Sequence, residues 1–435
     1  MTEVRVSADG CLRIERDGSA PVGRGVWNAM HEGVPAAVVR PGGPEEAAQA
    51  VLAARRRGLA VVVRGGGHSV SGESVGHGAL LLDLSRLREA DLSAGHVRVG
   101  GGALWSDLDT AAWQAGAAVP GGAVSHTGVA GLTLGGGFGW LSRAYGLSCD
   151  HLVQAEVVTA AGRLLDVDSA TDPELLWALR GSGRGLGVVT SLTFALRAMP
   201  PTVWGGQSQY QAGLAPVLLA RLVDQGTAMP QTVTVIWGMG RPPDEGPAAA
   251  GREVFTGVAV CALDGTGRHA VEELLDGLAP TVGGMQSRAY PDLQRMADAL
   301  WPHGRRYYFT SGFLGPLDSA AQEALLDIGM SMPPDSQLQL HLLGGSLSER
   351  QADAGAFGPV AAPYLLTAAA RWNTPDLDRE RSQWVRSVRG RMETWAHCGP
   401  YANLSSDAAA APASARAGAR WQAVKDRLDP ERLFA

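Results

Sequence analysis

Apolar and polar positions change rhythm several times along the chain. Glu45 to Leu59 repeats its apolar residues at helical spacing, and Ala60-Val61-Val62-Val63 is a short, wholly apolar run that predicts a buried strand. A glycine-rich loop, Arg64 to Gly72, follows, and then a second apolar strand, Ala79 to Leu84. Val97 to Val99 predicts another strand, Leu104 to Ala115 a helix, and Gly121 to Gly139 is a second glycine-rich region. Leu152 to Val158, Leu164 to Val167 and Leu186 to Leu196 predict further strands, with a helix at Pro173 to Leu179 among them. The character changes near Met199-Pro200-Pro201. From Thr202 to about Glu393 strands (Val203 to Tyr210, Val233 to Trp237, Val254 to Val260, Leu338 to Leu343) alternate with helices. Arg241 to Gly251 predicts a solvent loop, and the alanine-rich stretch from Ala408 to Ala419 a loop or helix. No repeat occurs at solenoid or propeller periods.

With 435 residues the chain has room for two or three domains. A content of 45% hydrophobic and 18% charged residues predicts a soluble globular protein rather than a disordered one. A formal net charge of −6 argues against a broad cationic surface for nucleic acid. No apolar run reaches the roughly 18 residues of a membrane span. The start, Met1-Thr2-Glu3-Val4-Arg5, has no signal-peptide pattern, so the expected compartment is the cytoplasm. Cys11, Cys149, Cys261 and Cys398 are widely scattered, without metal-ligand or disulfide spacing, and no metal is expected. Lys425 is the one lysine, which leaves Schiff-base chemistry almost without a candidate. The outlier is glycine, at 58 residues, and the glycines are clustered.

A strand followed by Gly65-Gly66-Gly67 suggests a dinucleotide fingerprint. The third glycine of G-x-G-x-x-G would fall on Val70, however, and the stretch beyond is not helical in pattern. Asp83 mimics the ribose-binding acid of that motif, and no lysine follows the glycines as a P-loop requires. Successive glycines can still turn backbone N–H groups into one concavity that holds phosphate oxygens. Two such segments suit a long dinucleotide. Glycine turns in a compact α/β fold are the plainer alternative.

The wider context carries a resemblance. Arg64-Gly65-Gly66-Gly67-His68-Ser69 with Gly72, the run from Ser125-His126-Thr127-Gly128 to Gly139, Tyr145-Gly146-Leu147, Asp150-His151-Leu152, Glu174 to Gly181 and Gly187-Val188-Val189-Thr190 occur in the order of a known family. With Tyr401-Ala402-Asn403 and Asp429 to Phe434, they resemble the berberine-bridge-enzyme-like flavoprotein oxidases of the vanillyl-alcohol-oxidase-type superfamily, hydroxynicotine oxidase among them. The resemblance implies an α+β, two-domain FAD-binding fold in which a sheet-based substrate domain covers the flavin. The expected division is 1–198 for FAD binding, 199–394 for substrate, and 395–435 for a return to the FAD domain. It implies FAD bonded through its 8α-methyl to His68 by a single link, since Val124 stands where doubly linked members carry a second, cysteinyl attachment. The FAD-holding residues it implies are Arg64, Gly65, Gly66, Gly67, His68, Ser69 and Gly72, then Pro120, Gly121, Gly122, Ser125, His126 and Thr127. They continue with Gly128, Val129, Gly131, Leu132, Gly135, Gly136 and Gly139, and close with Gly187, Val188, Val189, Tyr401 and Asn403. Thr127 falls on the position that controls dioxygen access, and a small residue there favours an oxidase. The chain departs from the family pattern at Gly185-Leu186-Gly187, where an asparagine is missing, at Leu404, and after Phe434, where relatives continue with an asparagine-rich segment.

The implied reaction is oxidation of a small organic alcohol or amine by hydride transfer to the flavin, with dioxygen as acceptor and hydrogen peroxide as product. A dehydrogenase using another acceptor, a tailoring enzyme that closes or rearranges a ring, and a catalytically silent flavin carrier are the alternatives. In Gln337-Leu338-Gln339-Leu340-His341-Leu342, alternation puts the glutamines and His341 on one face and the leucines on the other. His341 is expected to titrate near neutrality and to serve as base, with Gln339 orienting substrate, unless this is simply the solvated face of a strand. Tyr401 is a second catalytic candidate, and Tyr307 with Tyr308 a third group. Trp204, Trp237, Trp301 and Trp372 are candidates for an apolar substrate pocket, which favours an alkaloid-like compound over a sugar. Nothing in the sequence sets the oligomeric state.

Overall fold

The computed structural model describes residues 26–244, 253–407 and 418–434, together with the backbone of two strands, Thr2–Val6 and Leu12–Arg16. Most of the expected linker Arg241 to Gly251, most of the alanine-rich stretch from Ala408 and Cys11 lie outside the described residues.

Two of the predicted apolar runs and a third strand, Ala37–Val39, that the sequence left unmarked meet in a parallel arrangement. Ala37–Val39 and Val61–Arg64 both pair with Leu80–Asp83, and the helix Pro44–Arg56 makes the crossover. Proline at its start, Glu45 and Glu46 in its first turn, and Arg55 and Arg56 in its last all favour this helix. Its Ala47, Ala50, Val51 and Ala54 pack onto Leu80 and Leu82, which is why these strands read as unbroken apolar runs. A second, antiparallel sheet runs Leu164–Val167, Leu152–Val158, Val188–Ala195, His96–Gly100, Ala90–Ser93. The helices Trp105–Gln114 and Pro173–Ser182 cover it, the latter capped by Asp172, whose side chain accepts from the Leu175 N–H at 3.0 Å.

Past residue 202 the chain builds one eight-stranded antiparallel sheet. Its order is Val282–Arg288, Val203–Gln211, Phe255–Ala262, Val233–Arg241, Ser336–Leu342, Tyr364–Trp372, Arg306–Leu314, Ala396–Cys398. Leu338, Leu340 and Leu342 enter one core with Val235 and Trp237, roofed by the helices Ala215–Gln225 and Ser319–Met330. The opposite face of the same strands looks toward the first two sheets. Four strands of this sheet were not expected from the sequence, the three-residue Ala396–Cys398 among them. Val282–Arg288 is an exposed edge with two glycines. Tyr364–Trp372 holds three consecutive alanines, good helix formers overridden by pairing on both sides. Arg306–Leu314 likewise pairs on both sides.

The seam between the two halves is pinned by polar groups. Arg143 is buried without a carboxylate, and its guanidinium donates to the carbonyls of Met229, Pro230, Val233 and Leu343. Burial pushes its pKa down to about 10, so it stays charged at neutral pH, solvated by carbonyl dipoles. Arg350 adds an ion pair to Asp150 at 2.7 Å. The C-terminal segment returns to the parallel sheet, where the Val61 N–H donates to the Leu433 carbonyl. Lys425 holds that segment: its ammonium is buried against Asp429 at 2.7 Å and donates to the Gly185 and Phe434 carbonyls.

Candidate active site between two glycine loops and a sheet

The first glycine loop leaves the strand Val61–Arg64, and the second passes directly across it. A Cβ on Gly66 would lie 2.5 Å from the Gly128 Cα, and one on Gly128 would lie 2.5 Å from the Gly66 nitrogen. The loops therefore touch backbone to backbone, a contact that any side chain would break. A continuous cavity of about 300 Å³ opens beside them, and it reaches the polar face of the eight-stranded sheet.

On the loop side the cavity is lined by Gly65, Gly66, Gly67, His68 and Ser69, by Gly122, Thr127, Gly128, Gly131, Leu132 and Gly139, and by Gly187 and Val189. The other residues expected to hold the cofactor lie behind this lining. Arg64 is buried and donates to the Ser74 carbonyl at 3.2 Å; Gly72 packs on His31. The Pro120 carbonyl accepts from the Ser148 hydroxyl at 2.6 Å, and Gly121 lies against Trp105. Ser125 donates through its N–H and its hydroxyl to the Asp298 carboxylate, at 2.8 and 2.6 Å. Val129 and Val188 turn into hydrophobic cores, Gly135 lies under Asn403, and Gly136 packs on Phe357. His126 stands next to His68, with ring centroids 5.1 Å apart.

His68 is held by stacking. Its ring lies 4.1 Å from that of Trp27 at 15°, and Trp27 in turn stacks on Tyr307 at 3.8 Å and 10°. Its Nε2 is buried and has no hydrogen-bond partner among the described residues. Burial, with His126 and His303 nearby, holds its pKa well below the ordinary value, so the imidazole is neutral and keeps a lone pair.

The sheet side presents Gln337, Gln339 and His341 from one strand and Thr367 from its neighbour, with Gln339 directly opposite Thr367. The alternation read from the sequence is the one observed, and the face bounds the cavity rather than bulk water. The Thr367 hydroxyl lies 3.4 Å from His341 Nε2 and 3.5 Å from Gln339 Oε1, while His341 Nδ1 has no partner. The expected neutral titration of His341 is corrected: full burial pushes its pKa down to about 4, because nothing near it supports the cation.

Tyr401 and Asn403 close the cavity from the returning chain. The phenol oxygen accepts from the Gly137 N–H at 3.0 Å and from the Asn403 amide at 2.7 Å. Burial dominates and pushes its pKa up to about 12, so Tyr401 stays protonated and is not a base. Arg184 lines the cavity beside Asn403, to whose side-chain oxygen it donates, and it is paired with Glu73 at 3.0 Å. Tyr307 and Tyr308 do not line the cavity: their hydroxyls bond to the Pro302 carbonyl and to Asp407. Of the four expected tryptophans only Trp301 lines it; Trp237 lies in the sheet core, Trp204 packs against that core, and Trp372 donates to Asp378. Trp27, Phe309, Thr367 and His303 are the residues that the sequence left unmarked. The one local cue for Thr367, a hydroxyl within the run Leu365–Ala370, is masked by the alanines of its strand.

The donor set suits a dinucleotide carrying a reactive ring: glycine loops without side chains, a neutral buried imidazole with a free nitrogen, and an uncharged polar face across from it. Residues 35–168 match the FAD binding domain family. This match shows an FAD-binding domain, and the fold is the berberine-bridge-enzyme-like one. The chain is 28% identical over 388 residues to an FAD-linked oxidoreductase of Dictyostelium discoideum, covering 87% of this chain and 82% of that one. It is 32% identical over 203 residues to (R)-6-hydroxynicotine oxidase of Paenarthrobacter nicotinovorans, covering 46% of this chain and 44% of that one. The structure of berberine-bridge-enzyme-like protein 1 of Physcomitrella patens superposes with a TM-score of 0.86 at 19% identity, covering 100% of this chain and 96% of that one. Among the described residues no helix is long and apolar enough to cross a membrane, and no cluster of His, Cys, Asp or Glu could hold a metal ion.

Proposed function

We propose that the protein is an oxidase that holds FAD covalently through His68, takes two electrons from a small organic alcohol or amine, and passes them to dioxygen. The observation that carries this reading is the cavity, where a neutral, partnerless His68 nitrogen and the polar strand face Gln337–His341 share one space. The glycine loops would hold the dinucleotide, and Tyr401 and Asn403 would border its ring. When bound, FAD supplies the two-electron acceptor.

The chain's own residues do the rest. His341 Nδ1 is the proton acceptor for the substrate O–H or N–H: the imidazole is neutral, and this nitrogen is uncommitted. Thr367 and Gln339 fix the opposite side of the ring and the substrate's polar group. Trp27, Trp301 and Phe309 add an aromatic wall that suits a flat, apolar body. Thr127 lines the cavity with a small side chain, which supports dioxygen over a larger electron acceptor.

The test is the absorption spectrum of the purified protein, followed by flavin fluorescence of its acid-precipitated pellet. Flavin that stays with the polypeptide, and is absent from the pellet of His68→Ala, is the expected result. Flavin released to the supernatant would remove the covalent bond from the reading. A colourless protein that cannot be reloaded with FAD would overturn it.

A further inference from the structure

Much of the surroundings of His68 is supplied by one segment of the second half of the chain. Asp298 grips Ser125, the Trp301 carbonyl accepts from the Trp27 indole N–H at 2.9 Å, and Tyr307 backs the Trp27 ring. His303 belongs to the same segment. Its ring centroid lies 5.0 Å from that of His126 and 6.2 Å from that of His68, and the residue is exposed. Three imidazoles thus run from the cavity to the surface. Two of their nitrogens, His68 Nε2 and His126 Nδ1, are buried without a partner.

We propose that His126 and His303 form a proton-exit relay for attachment of the flavin to His68, His126 taking the imidazole proton and His303 passing it to water. The inference rests on the covalent reading above. In the net reaction one C–H bond of the flavin methyl group and the N–H bond of His68 break, and one C–N bond forms. The electron pair goes to dioxygen, which takes up two protons to become hydrogen peroxide. A neutral imidazole that bonds to carbon while keeping its proton becomes a cation, and this site is too desolvated to hold one. The proton needs a route out. His126 is held below the ordinary histidine value by burial, and His303, although exposed as a residue, by partial burial of its ring and by the neighbouring His126, so both are neutral acceptors at physiological pH. The groups facing His126 are His68, His303 and Asp298, and the two bonds from Ser125 to Asp298 fix its backbone.

The experiment follows covalent flavin per bound FAD with time, in the full-length protein and in His126→Gln, His126→Ala and His303→Gln, across neutral to alkaline pH. His126→Gln should bind FAD but attach it about a hundredfold more slowly at neutral pH. Its rate should rise about tenfold per pH unit as hydroxide replaces the lost acceptor. Free imidazole should restore attachment in His126→Ala but not in His126→Gln. His303→Gln, altered at an exposed position, should slow attachment less and make its rate depend on buffer concentration. Attachment at the parent rate in the His126 variants would overturn the relay. So would slowing without pH slope or imidazole rescue, which would mark a structural role, or a His303→Gln rate equal to the parent and indifferent to buffer. A parent protein whose flavin is entirely non-covalent would instead remove the covalent reading, and the relay with it.

Discussion

The two walls of the cavity are built on opposite principles. The loop wall is made of backbone: Gly66 and Gly128 meet with no space for a methyl group, and its one reactive side chain is His68. The sheet wall is made of side chains on regular strands, where pairing fixes the positions and the residues at them are free to differ. The first wall can hold one kind of ligand and tolerates almost no substitution. The second can be rewritten for another substrate without altering the sheet. A protein built this way keeps its cofactor constant while its substrate varies.

The sharpest way to test that difference is to place one methyl group on the loop wall. In Gly66→Ala the new Cβ would meet the Gly128 backbone at 2.5–2.6 Å, and neither loop can move away without distorting the cavity. The expected outcome is loss of bound FAD, read from the flavin absorbance of the purified protein, with a destabilisation of about 1–3 kcal/mol on denaturant unfolding. A variant that retains its full flavin content would show that the loop contact is dispensable.

The counterpart on the sheet wall is His341→Gln. FAD content and fold should be unchanged, because the strand pairing does not involve the side chain. Substrate-driven flavin reduction should fall about a hundredfold with loss of the proton acceptor. Stopped-flow reduction against bound-flavin content separates the two effects, and equal loss of both would merge the walls into one structural unit.

A subtler separation comes from pH. His341 has a folded-state pKa of about 4 against an ordinary 6.5. Between those values the unfolded chain binds the proton and the native one does not, so this group's contribution to stability is complete above about pH 6.5 and is lost as pH falls toward 4. Flavin reduction, in contrast, needs only the neutral ring, and should stay level through neutrality and decline near pH 4. Unfolding midpoints should therefore drop with acid before the reduction rate does. A rate profile with its midpoint near 6.5 would mean that the bound ligand restores ordinary solvation to His341.

The sequence showed these walls unequally. The loop wall was legible because only glycine permits its contacts, so its motif is written in residue identity. The polar face of Ser336–Leu342 was legible through its period-two alternation, although the sequence could not say that the face bounds a cavity. Thr367 was hidden because its strand, with three consecutive alanines, lacks β-propensity. Trp27 and His303 were hidden for a different reason. They meet His68 through tertiary packing between distant segments, and no local pattern encodes that. The titration of His341 was misread because residue type sets the reference pKa and burial sets the shift.

The smallest effect concerns Tyr401, where the two walls are joined. Its hydroxyl accepts from the Gly137 N–H in the second glycine loop and from Asn403 on the returning chain, while its N–H and carbonyl bond to Ser311 in the sheet. Tyr401→Phe removes the acceptor and leaves the Gly137 N–H short of a partner, while the Asn403 amide still reaches the Leu132 and Gly135 carbonyls. Such a loss costs about 1–3 kcal/mol if water cannot enter and less if it can. The cavity borders this site, so the lower end is expected: a fall of a few degrees in unfolding temperature, with FAD retained. Because burial holds the phenol protonated, with a pKa of about 12, the variant should leave the pH profile of flavin reduction unmoved and lower its rate only a few-fold. A shifted profile would make Tyr401 the proton acceptor and move the chemistry from the sheet wall to the joint.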